Sequence, residues 1–324
     1  MSRYACDREA IENAAVRVRR FAHLTPVATC ATLDARAGRA LFFKCEHLQK
    51  AGAFKFRGAV NAVAQLAPEA APRGVVTHSS GNHAQALALA ARLYGIPAYV
   101  VMPSNASPVK RRAVEEYAAR VTLCEPTLTA REETAARVIE ETGGTLIPPY
   151  NHPHIIAGQA SAAVELIQQV PDLDAIVAPV GGGGLLSGVA LAAHYLRPQF
   201  RVFAAEPAGA DDAYRSKAAG TLIPQTGPHT IADGLLTSLG DLTWPVVRDL
   251  VERIFRVEEA EIIAAMRLTW ERAKLMIEPS SAVAVAAVLG SEFRALPGMR
   301  RVGVVLSGGN VNLDQLPWQR PGGD

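Results

Sequence analysis

A lysine at position 55 is the side chain whose surroundings could support covalent chemistry. Lys55 lies between Phe54 and Phe56, and Gly52 and Gly58 bracket a tight turn that follows a short apolar strand. An unpaired ammonium is costly to bury, so such a lysine either extends to water or is kept neutral as a nucleophile, most often in a Schiff base. The glycine spacing excludes a phosphate loop of the G-x-x-x-x-G-K-[ST] kind. This segment alone does not distinguish between these two roles of the lysine.

The second chemical feature is a run of four consecutive glycines, Gly181, Gly182, Gly183 and Gly184. They follow an apolar strand and precede a helix, where consecutive backbone N–H groups can converge on an anion. A plain turn needs only one or two glycines. A dinucleotide fingerprint is excluded, because Leu186 and Ser187 stand where its third glycine should be. The run therefore predicts an anion site.

Small polar residues follow two further predicted strands. Residues 79–83 lie at a strand-to-helix junction, where Ser80 or Asn82 could simply cap the helix. His83 is equally consistent with a structural histidine, and we assign it no proton transfer. Ser307 ends the last predicted strand and precedes two glycines, which is also typical of a turn.

The elements that would position these residues alternate between strands and helices, which predicts βαβ units around mainly parallel sheets. The block 74–150 is compact enough for a small domain, and residues 207–245 are predicted to be rich in loops. Helices are predicted near 7–21, 58–66, 82–93, 108–119, 130–142, 155–170, 184–196, 258–274 and 279–289, and strands at 75–77, 98–101, 121–124, 145–147, 175–180, 201–205 and 301–306.

Composition restricts the class of protein. The 324 residues carry a net charge of +2, with 49% hydrophobic and 20% charged residues, so the chain can bury a sizeable core and shows no basic excess for nucleic acid or a membrane surface. The four cysteines are scattered without metal-binding spacing, which favours reduced thiols in a cytoplasmic protein. No apolar segment suits a signal peptide or a membrane span.

These motifs, in this order, resemble those of the fold-type II pyridoxal-phosphate enzymes, in particular the serine/threonine dehydratases and the eukaryotic-type serine racemases. The resemblance implies two open, mainly parallel α/β domains of the tryptophan synthase β type, with pyridoxal 5'-phosphate in the cleft between them. Residues 1–73 and 151–324 would form the large cofactor-binding domain, and residues 74–150 the small α/β domain. The resemblance covers nearly the whole chain and includes four more motifs, Ala205-Glu206-Pro207, Ile231-Ala232-Asp233-Gly234, Ile277-Glu278-Pro279 and Leu306-Ser307-Gly308-Gly309-Asn310.

The resemblance implies a role for each motif residue. Lys55 would hold the cofactor as a Schiff base and, once released, remove the Cα proton of the substrate. Phe54 would stack on the ring, Asn82 would contact the ring hydroxyl, and the glycine run would bind the phosphate. Ser307 would bond the pyridine nitrogen, which a hydroxyl cannot hold protonated as an aspartate would, and this suits elimination and racemisation better than transamination. The substrate carboxylate would be held by the loop Ser79, Ser80, Gly81, Asn82 and His83.

A divalent cation is expected after the strand at 201–205. Glu206, the backbone carbonyl of Ala210 and Asp212 match the cation ligands of serine racemases, and hard oxygen ligands suit Mg²⁺, or Mn²⁺ or Ca²⁺. The alternative is an ordinary solvated acidic loop. One position departs from the family pattern, since Ala53 stands where a serine usually precedes the phenylalanine, and the lost hydroxyl could weaken cofactor binding or alter substrate choice.

These roles predict a lyase that removes the β-hydroxyl of L-serine and L-threonine to give a 2-oxo acid and ammonia. Racemisation would need a second acid/base group on the face opposite Lys55, and Ser80 is the matching position, so serine racemase activity is expected as well.

A dedicated serine racemase and a 3-hydroxyaspartate dehydratase are the alternatives. A non-catalytic amino-acid-binding regulator is disfavoured by the intact Lys55, glycine run and Ser307. We expect a homodimer that acts on a small hydroxy amino acid, and the resemblance leaves open a nucleotide effector.

Overall fold

Two separate β-sheets organise the part of the chain that the structure, a computed structural model, describes: residues 3–106 and 108–319. The strands are β1 (Val27–Ala28), β2 (Ala40–Cys45), β3 (Val75–His78), β4 (Ala98–Pro103), β5 (Arg120–Cys124), β6 (Thr145–Leu146), β7 (Ala175–Pro179), β8 (Arg201–Pro207), β9 (Arg253–Val257) and β10 (Arg301–Leu306). A six-stranded sheet has the order β1-β2-β10-β7-β8-β9, and a four-stranded sheet has the order β5-β4-β3-β6. All neighbours pair in parallel except β1 and β2, which are antiparallel. The predicted mainly parallel α/β fold is confirmed.

Helices connect these strands and cover them. They are α1 (Arg8–Arg19), α2 (Ala31–Ala37), α3 (Lys55–Val63), α4 (Asn82–Leu93), α5 (Pro108–Glu115), α6 (Leu128–Thr142), α7 (Pro153–Gln169), α8 (Gly184–Leu196), α9 (Asp212–Ala219), α10 (Trp244–Leu250), α11 (Glu259–Leu268), α12 (Pro279–Leu289) and α13 (Ser291–Arg294). Local chemistry sets their limits: Asp7 accepts the Ala10 N–H at 2.9 Å and so caps α1. Among the described helices, none has the length and apolar character to cross a bilayer.

The six-stranded sheet is covered on both faces. One apolar layer contains residues of α1, α7, α8 and α10, and the opposite layer contains residues of α2, α11 and α12. Every residue of β7, in the middle of the sheet, is buried. A parallel sheet buried on both faces reads as a continuous apolar run, which is why the sequence alone indicates β7 and β10.

The four-stranded sheet lies within residues 75–146, but its core draws on other segments. Phe56 and Val60 of α3, Val18 of α1 and Ile155 of α7 belong to the same buried cluster as residues of α4 and β4. The helix that begins at Lys55 therefore packs against the smaller sheet's layer. The division into domains at 73/74 and 150/151 stays a prediction.

The structure departs from the predicted elements at several positions. Helix α3 begins at Lys55, three residues before the predicted start at 58. Strand β9 and helices α2, α10 and α13 are absent from the predicted elements. Strand β9 is missed because the exposed Arg253 and Arg256 interrupt its apolar run at the sheet edge. Helix α11 ends at Leu268 and continues only as a π-helical turn, Thr269–Ala273.

Candidate active site

Lys55 is the first residue of α3, and a short pairing with the end of β10 places it there. Ala53 forms an isolated antiparallel bridge with Gly308, and the Phe54 N–H donates to the Ser307 carbonyl at 3.0 Å. Phe54 then adopts helical backbone angles, so the helix starts at the next residue. The bridge brings Lys55 and Ser307, two predicted site residues, to the same place although 252 positions separate them along the sequence.

The Lys55 amine occupies an enclosed setting. Its Nζ donates to the Pro149 carbonyl at 2.6 Å and lies 5.2 Å from the centroid of the Phe54 ring. Burial lowers the pKa of Lys55 to about 8, against an opposing effect of the Glu278 carboxylate. A lysine with this pKa has a much larger neutral fraction near neutral pH than an ordinary lysine, which favours the role of nucleophile over that of a lysine extending to water.

Helix α3 is anchored by a buried network of charges. Arg57, two residues after Lys55, binds Glu46 at 2.6 Å and Glu165 at 2.7 Å, and Lys44 binds Glu165 at 2.6 Å. Removing one partner of such a buried pair typically costs about 3–5 kcal/mol, because the other charge is left unpaired. The network therefore fixes the helix that carries Lys55 against β2 and α7.

The glycine run connects β7 to α8 and is fully buried. A Cβ at Gly182 would lie 2.4 Å from the Tyr150 ring, and one at Gly184 would lie 2.8 Å from the Tyr150 Cβ. Gly183 has a φ of +85°, and a Cβ at Gly181 would meet the Leu235 backbone at 2.8 Å. Close packing or backbone conformation therefore favours glycine at each of these positions, independently of the predicted anion site.

An anion would still find donors in this loop. The N–H groups of Gly182 and Gly183 have no hydrogen-bond acceptor among the described residues. The first N–H groups of α8 also lack partners within the helix, as at any helix N-terminus. Because Pro149 contacts Lys55 and Tyr150 packs on the loop, the amine and these donors flank the same segment. The residues present therefore fit a phosphate joined to an aldehyde that reaches Lys55.

Ser79, Ser80 and Asn82 lie where β3 passes into α4. The helix N-cap is Gly81, with no side-chain capping bond, so the alternative that Ser80 or Asn82 caps the helix is wrong. Ser79 Oγ accepts the Gly81 N–H at 3.4 Å, and the Ser80 side chain is half-buried. A Cβ at Gly81 would meet open space, which is consistent with room for a ligand beside this loop.

The surroundings of His83 favour a structural role, one of the two alternatives that the sequence leaves open. Its Nε2 lies 2.9 Å from the Ile147 carbonyl, and the ring is buried. Burial, with the nearby Lys55 charge, lowers the pKa of His83 to about 3, so the ring is neutral at physiological pH. This agrees with assigning it no proton transfer.

Two residues of the site carry no role that the sequence assigns. Glu278 is 4% exposed and accepts from Asn82, and burial raises its pKa to about 7. Tyr150 forms the wall behind the glycine run. In the sequence, Glu278 is visible only as part of a motif. Tyr150 is visible only as the aromatic residue after Pro148-Pro149, where the prolines indicate a connection between domains.

Two of the three predicted cation ligands, Glu206 and Asp212, lie near one another at the end of β8. Glu206 and Asp212 are both fully buried; Glu206 accepts the Ala213 and Tyr214 N–H groups, and Asp212 Oδ2 accepts the Leu239 N–H. Asp212 Oδ1 has no partner among the described residues. Burial raises the pKa of Glu206 to about 9 and that of Asp212 to about 6. Two buried carboxyl groups, one with a free oxygen, fit a divalent cation better than a solvated acidic loop.

Comparisons with known proteins agree with this geometry. A family profile described as pyridoxal-phosphate dependent enzyme matches residues 18–308. The chain is 54% identical over 317 residues to serine racemase of Arabidopsis thaliana, covering 97% of this chain and 96% of that protein. The structure of maize serine racemase superposes with a TM-score of 0.95 at 48% identity, covering 96% and 95% of the two chains. A T.th. threonine deaminase superposes with a TM-score of 0.90 at 41% identity, covering 95% and 99%.

These matches span nearly the whole chain and confirm both the family and the cofactor that Lys55, the glycine run and Ser307 predicted. The chain belongs to the pyridoxal-phosphate dependent enzymes.

Proposed function

We propose that this enzyme interconverts L- and D-serine and also eliminates water from L-serine and L-threonine. The observation that carries the proposal is the Lys55 amine, enclosed between Phe54 and the Pro149 carbonyl with its pKa lowered to about 8. The identity to serine racemases and threonine deaminase over almost the full length supports it.

The bound cofactor supplies an electron sink that acidifies the Cα–H of the amino acid. Lys55, in the neutral form that its lowered pKa makes accessible, takes that proton on one face. Ser307, 3% exposed at the end of β10, offers a hydroxyl to the pyridine nitrogen. The backbone N–H groups of residues 79–83 hold the substrate carboxylate, and Asn82 contacts the ring hydroxyl.

Ser80 is the second acid/base group. Lys55 alone returns a proton only to the face from which it came, so inversion needs a donor on the opposite face. With the helix cap at Gly81, the Ser80 side chain is not engaged in capping and is available for this role. A serine hydroxyl is a weak base, so neighbouring donors must tune it.

In the elimination, the Cα–H bond and the Cβ–O bond break; Lys55 takes the Cα proton, and the β-hydroxyl accepts one proton in exchange and leaves as water. The released enamine hydrolyses to ammonia and a 2-oxo acid, which is pyruvate from serine and 2-oxobutyrate from threonine. A 3-hydroxyaspartate dehydratase would follow the same steps with a second carboxylate on the substrate, and a dedicated racemase would stop before Cβ–O cleavage.

Glu206, the Ala210 carbonyl and Asp212 would hold Mg²⁺, Mn²⁺ or Ca²⁺ as a structural cation. The homodimer and a nucleotide effector belong to the same proposal and depend on the resemblance alone.

The test is a panel of L- and D-hydroxy amino acids, assayed for 2-oxo acid and for the opposite enantiomer. We expect D-serine from L-serine and 2-oxo acid from L-serine and L-threonine. The absence of D-serine would leave a plain dehydratase, and turnover of 3-hydroxyaspartate alone would favour that alternative. The absence of any spectral change of the bound cofactor on adding serine would favour the ligand-binding regulator.

A further inference from the structure

The side-chain amide of Asn82 is held at both ends by residues distant in sequence. Its Nδ2 donates to the Glu278 carboxylate, 2.9 Å from Oε1 and 3.1 Å from Oε2. Its Oδ1 accepts from Asn310 Nδ2 at 2.9 Å. The same Asn310 nitrogen also donates to the Ala51 carbonyl at 2.8 Å. We call Glu278, Asn82, Asn310 and the Ala51 carbonyl the asparagine chain.

The chemistry of the two end groups fixes the orientation of the Asn82 amide. A backbone carbonyl is an acceptor only, and so is the ionised Glu278 carboxylate, which also accepts the Asn310 N–H. Asn310 must therefore turn its NH₂ group toward Ala51, and the second hydrogen of that group reaches Asn82. Asn82 then presents Oδ1 to Asn310 and Nδ2 to Glu278, since the flipped amide would set an oxygen against the carboxylate. Glu278 and Asn310 together thus fix which way the Asn82 amide faces.

Glu278 itself is firmly placed. Its backbone N–H donates to the Gly308 carbonyl at 3.0 Å, and its Oε2 also accepts the Asn310 N–H at 3.1 Å. A Cβ at position 308 would lie 2.5 Å from Glu278 Oε1, so the carboxylate occupies space that only glycine leaves free. The groups that act electrostatically on Glu278 are Asp233, Lys110 and Lys55. Glu278 is 4% exposed and has no salt-bridge partner among the described residues, so burying its charge costs free energy of folding.

We propose that Glu278 is a positioning residue that orients the Asn82 amide, and with it the N-terminal turn of α4, before the cofactor binds. It acts through Asn82 and makes no proton transfer. The inference rests on the proposed function only in assigning Asn82 to the cofactor ring.

Glu278→Gln tests this, because it keeps the shape and replaces an acceptor with a donor. The new NH₂ group must face the N–H of Asn82 or of Asn310, so one bond of the asparagine chain is lost. We expect the apoenzyme to bind pyridoxal 5'-phosphate about tenfold more weakly or worse, as for a lost charge-assisted hydrogen bond. Hydrogen exchange of the amides at 82–85 in the apoenzyme should accelerate by a similar factor.

Asp233→Asn is the matched control. Asp233 is a neighbouring acid that lies outside the asparagine chain and pairs with Lys110 at 2.5 Å. This variant should bind the cofactor within about twofold of the wild type, because it changes the local charge but none of these hydrogen bonds. An equal loss in both variants would show a general charge effect and overturn the proposal, as would wild-type affinity and exchange in Glu278→Gln.

A double variant, Asn82→Asp with Glu278→Gln, separates orientation from stability. The new carboxylate at position 82 would accept from both the new amide at position 278 and Asn310, so exchange protection should return. Cofactor affinity should stay low, because the side chain at position 82 no longer has an N–H to present. Recovery of affinity as well would show that the amide orientation is irrelevant and would contradict the proposal.

If Glu278→Gln does not fold, Asn310→Ala gives the same test from the other end. It removes the bond to Asn82 Oδ1 and keeps the Glu278 charge with its partners, and it should show both faster exchange and weaker cofactor binding. Unchanged values would overturn the proposal. All of these measurements omit the amino acid, so failure of the wild type to act on serine would overturn the proposed function and leave this comparison intact.

Discussion

At the scale of the residue, the enclosure of Lys55 predicts a pH dependence. Burial lowers its pKa to about 8, so the protonated amine predominates below that pH and the neutral nucleophile above it. We expect the rate constant for cofactor capture by the apoenzyme to rise with pH and to level off above about pH 8. Stopped-flow absorbance between about pH 6.5 and about pH 9.5 measures this, and Lys55→Ala should show no covalent capture and no turnover. A rate that keeps rising toward the pKa of a free lysine would contradict the lowered pKa.

Ser80 yields a second prediction at this scale. Ser80→Ala removes the proposed second acid/base group, so racemisation of serine and attack on D-serine should fall by at least about a hundredfold, the usual contribution of general acid–base catalysis. Elimination from L-serine needs only Lys55 on its own face and should largely persist. Chiral chromatography of the serine pool, alongside a 2-oxo acid assay, separates the two activities. Ser79→Ala is the matched comparison and should not remove racemisation selectively; equal loss of both activities in Ser80→Ala would indicate a structural role.

At the scale of the element, the turn between β7 and α8 predicts a specific clash. A methyl at Gly182 would lie 2.4 Å from the Tyr150 ring, so Gly182→Ala should destabilise the protein by about 1–3 kcal/mol through overpacking. Tyr150→Ala, combined with Gly182→Ala, should restore part of that loss, because it removes the ring that the methyl meets. Denaturant unfolding of both single variants and the double variant measures the coupling. Additive effects would mean that the glycine is not needed to accommodate Tyr150.

Elements with strong local signals can be predicted from the sequence, and those set by distant pairing cannot. The buried strands β7 and β10 and the capped helix α1 carry apolar periods that need no tertiary information. The start of α3 at Lys55 depends on the bridge between Ala53 and Gly308, which no local pattern reveals. Strand β9, with two exposed arginines, looks polar in sequence because it lies at a sheet edge.

The residues of the candidate site also fall into those that the sequence predicts and those that only tertiary contacts reveal. Lys55, the glycine run and Ser307 sit within motifs whose order is specific, so the sequence predicts their assembly. No local pattern assigns a role to Glu278, since its partners Asn82 and Asn310 lie 196 and 32 positions away in the sequence. Tyr150 likewise acquires its contact with the glycine run through the packing of the segment after β6.

At the scale of the whole molecule, the site depends on contacts that join the two sheets. Asn82, the first residue of the helix α4 that follows the smaller sheet's β3, bonds to Glu278 and Asn310 beside β10, and Lys110 of α5 pairs with Asp233. The cation ligands extend this assembly, because Asp212 holds the Leu239 N–H while the Leu239 side chain packs over Gly183. A cation on Glu206 and Asp212 would therefore stabilise the region next to the glycine run as well as its own loop.

Removal of that cation gives the last prediction. A ligand that binds only the folded state at about a hundred times its Kd adds about 2.7 kcal/mol of stability. For a chain of this size that corresponds to a fall of roughly 5 °C in Tm when a chelator is added, reversed by Mg²⁺, Mn²⁺ or Ca²⁺. Asp212→Asn should abolish the response, and without cation it should be at least as stable as the chelated wild type, because it removes a buried carboxyl group that raises the pKa of Glu206.

Asp211→Asn is the matched control: Asp211 pairs with Arg215 and Arg256 outside the predicted ligand set, so this variant should keep the full response. Calorimetry with and without chelator decides the point, and a wild type insensitive to chelator, or an Asp212→Asn variant that still responds to Mg²⁺, would exclude the cation site.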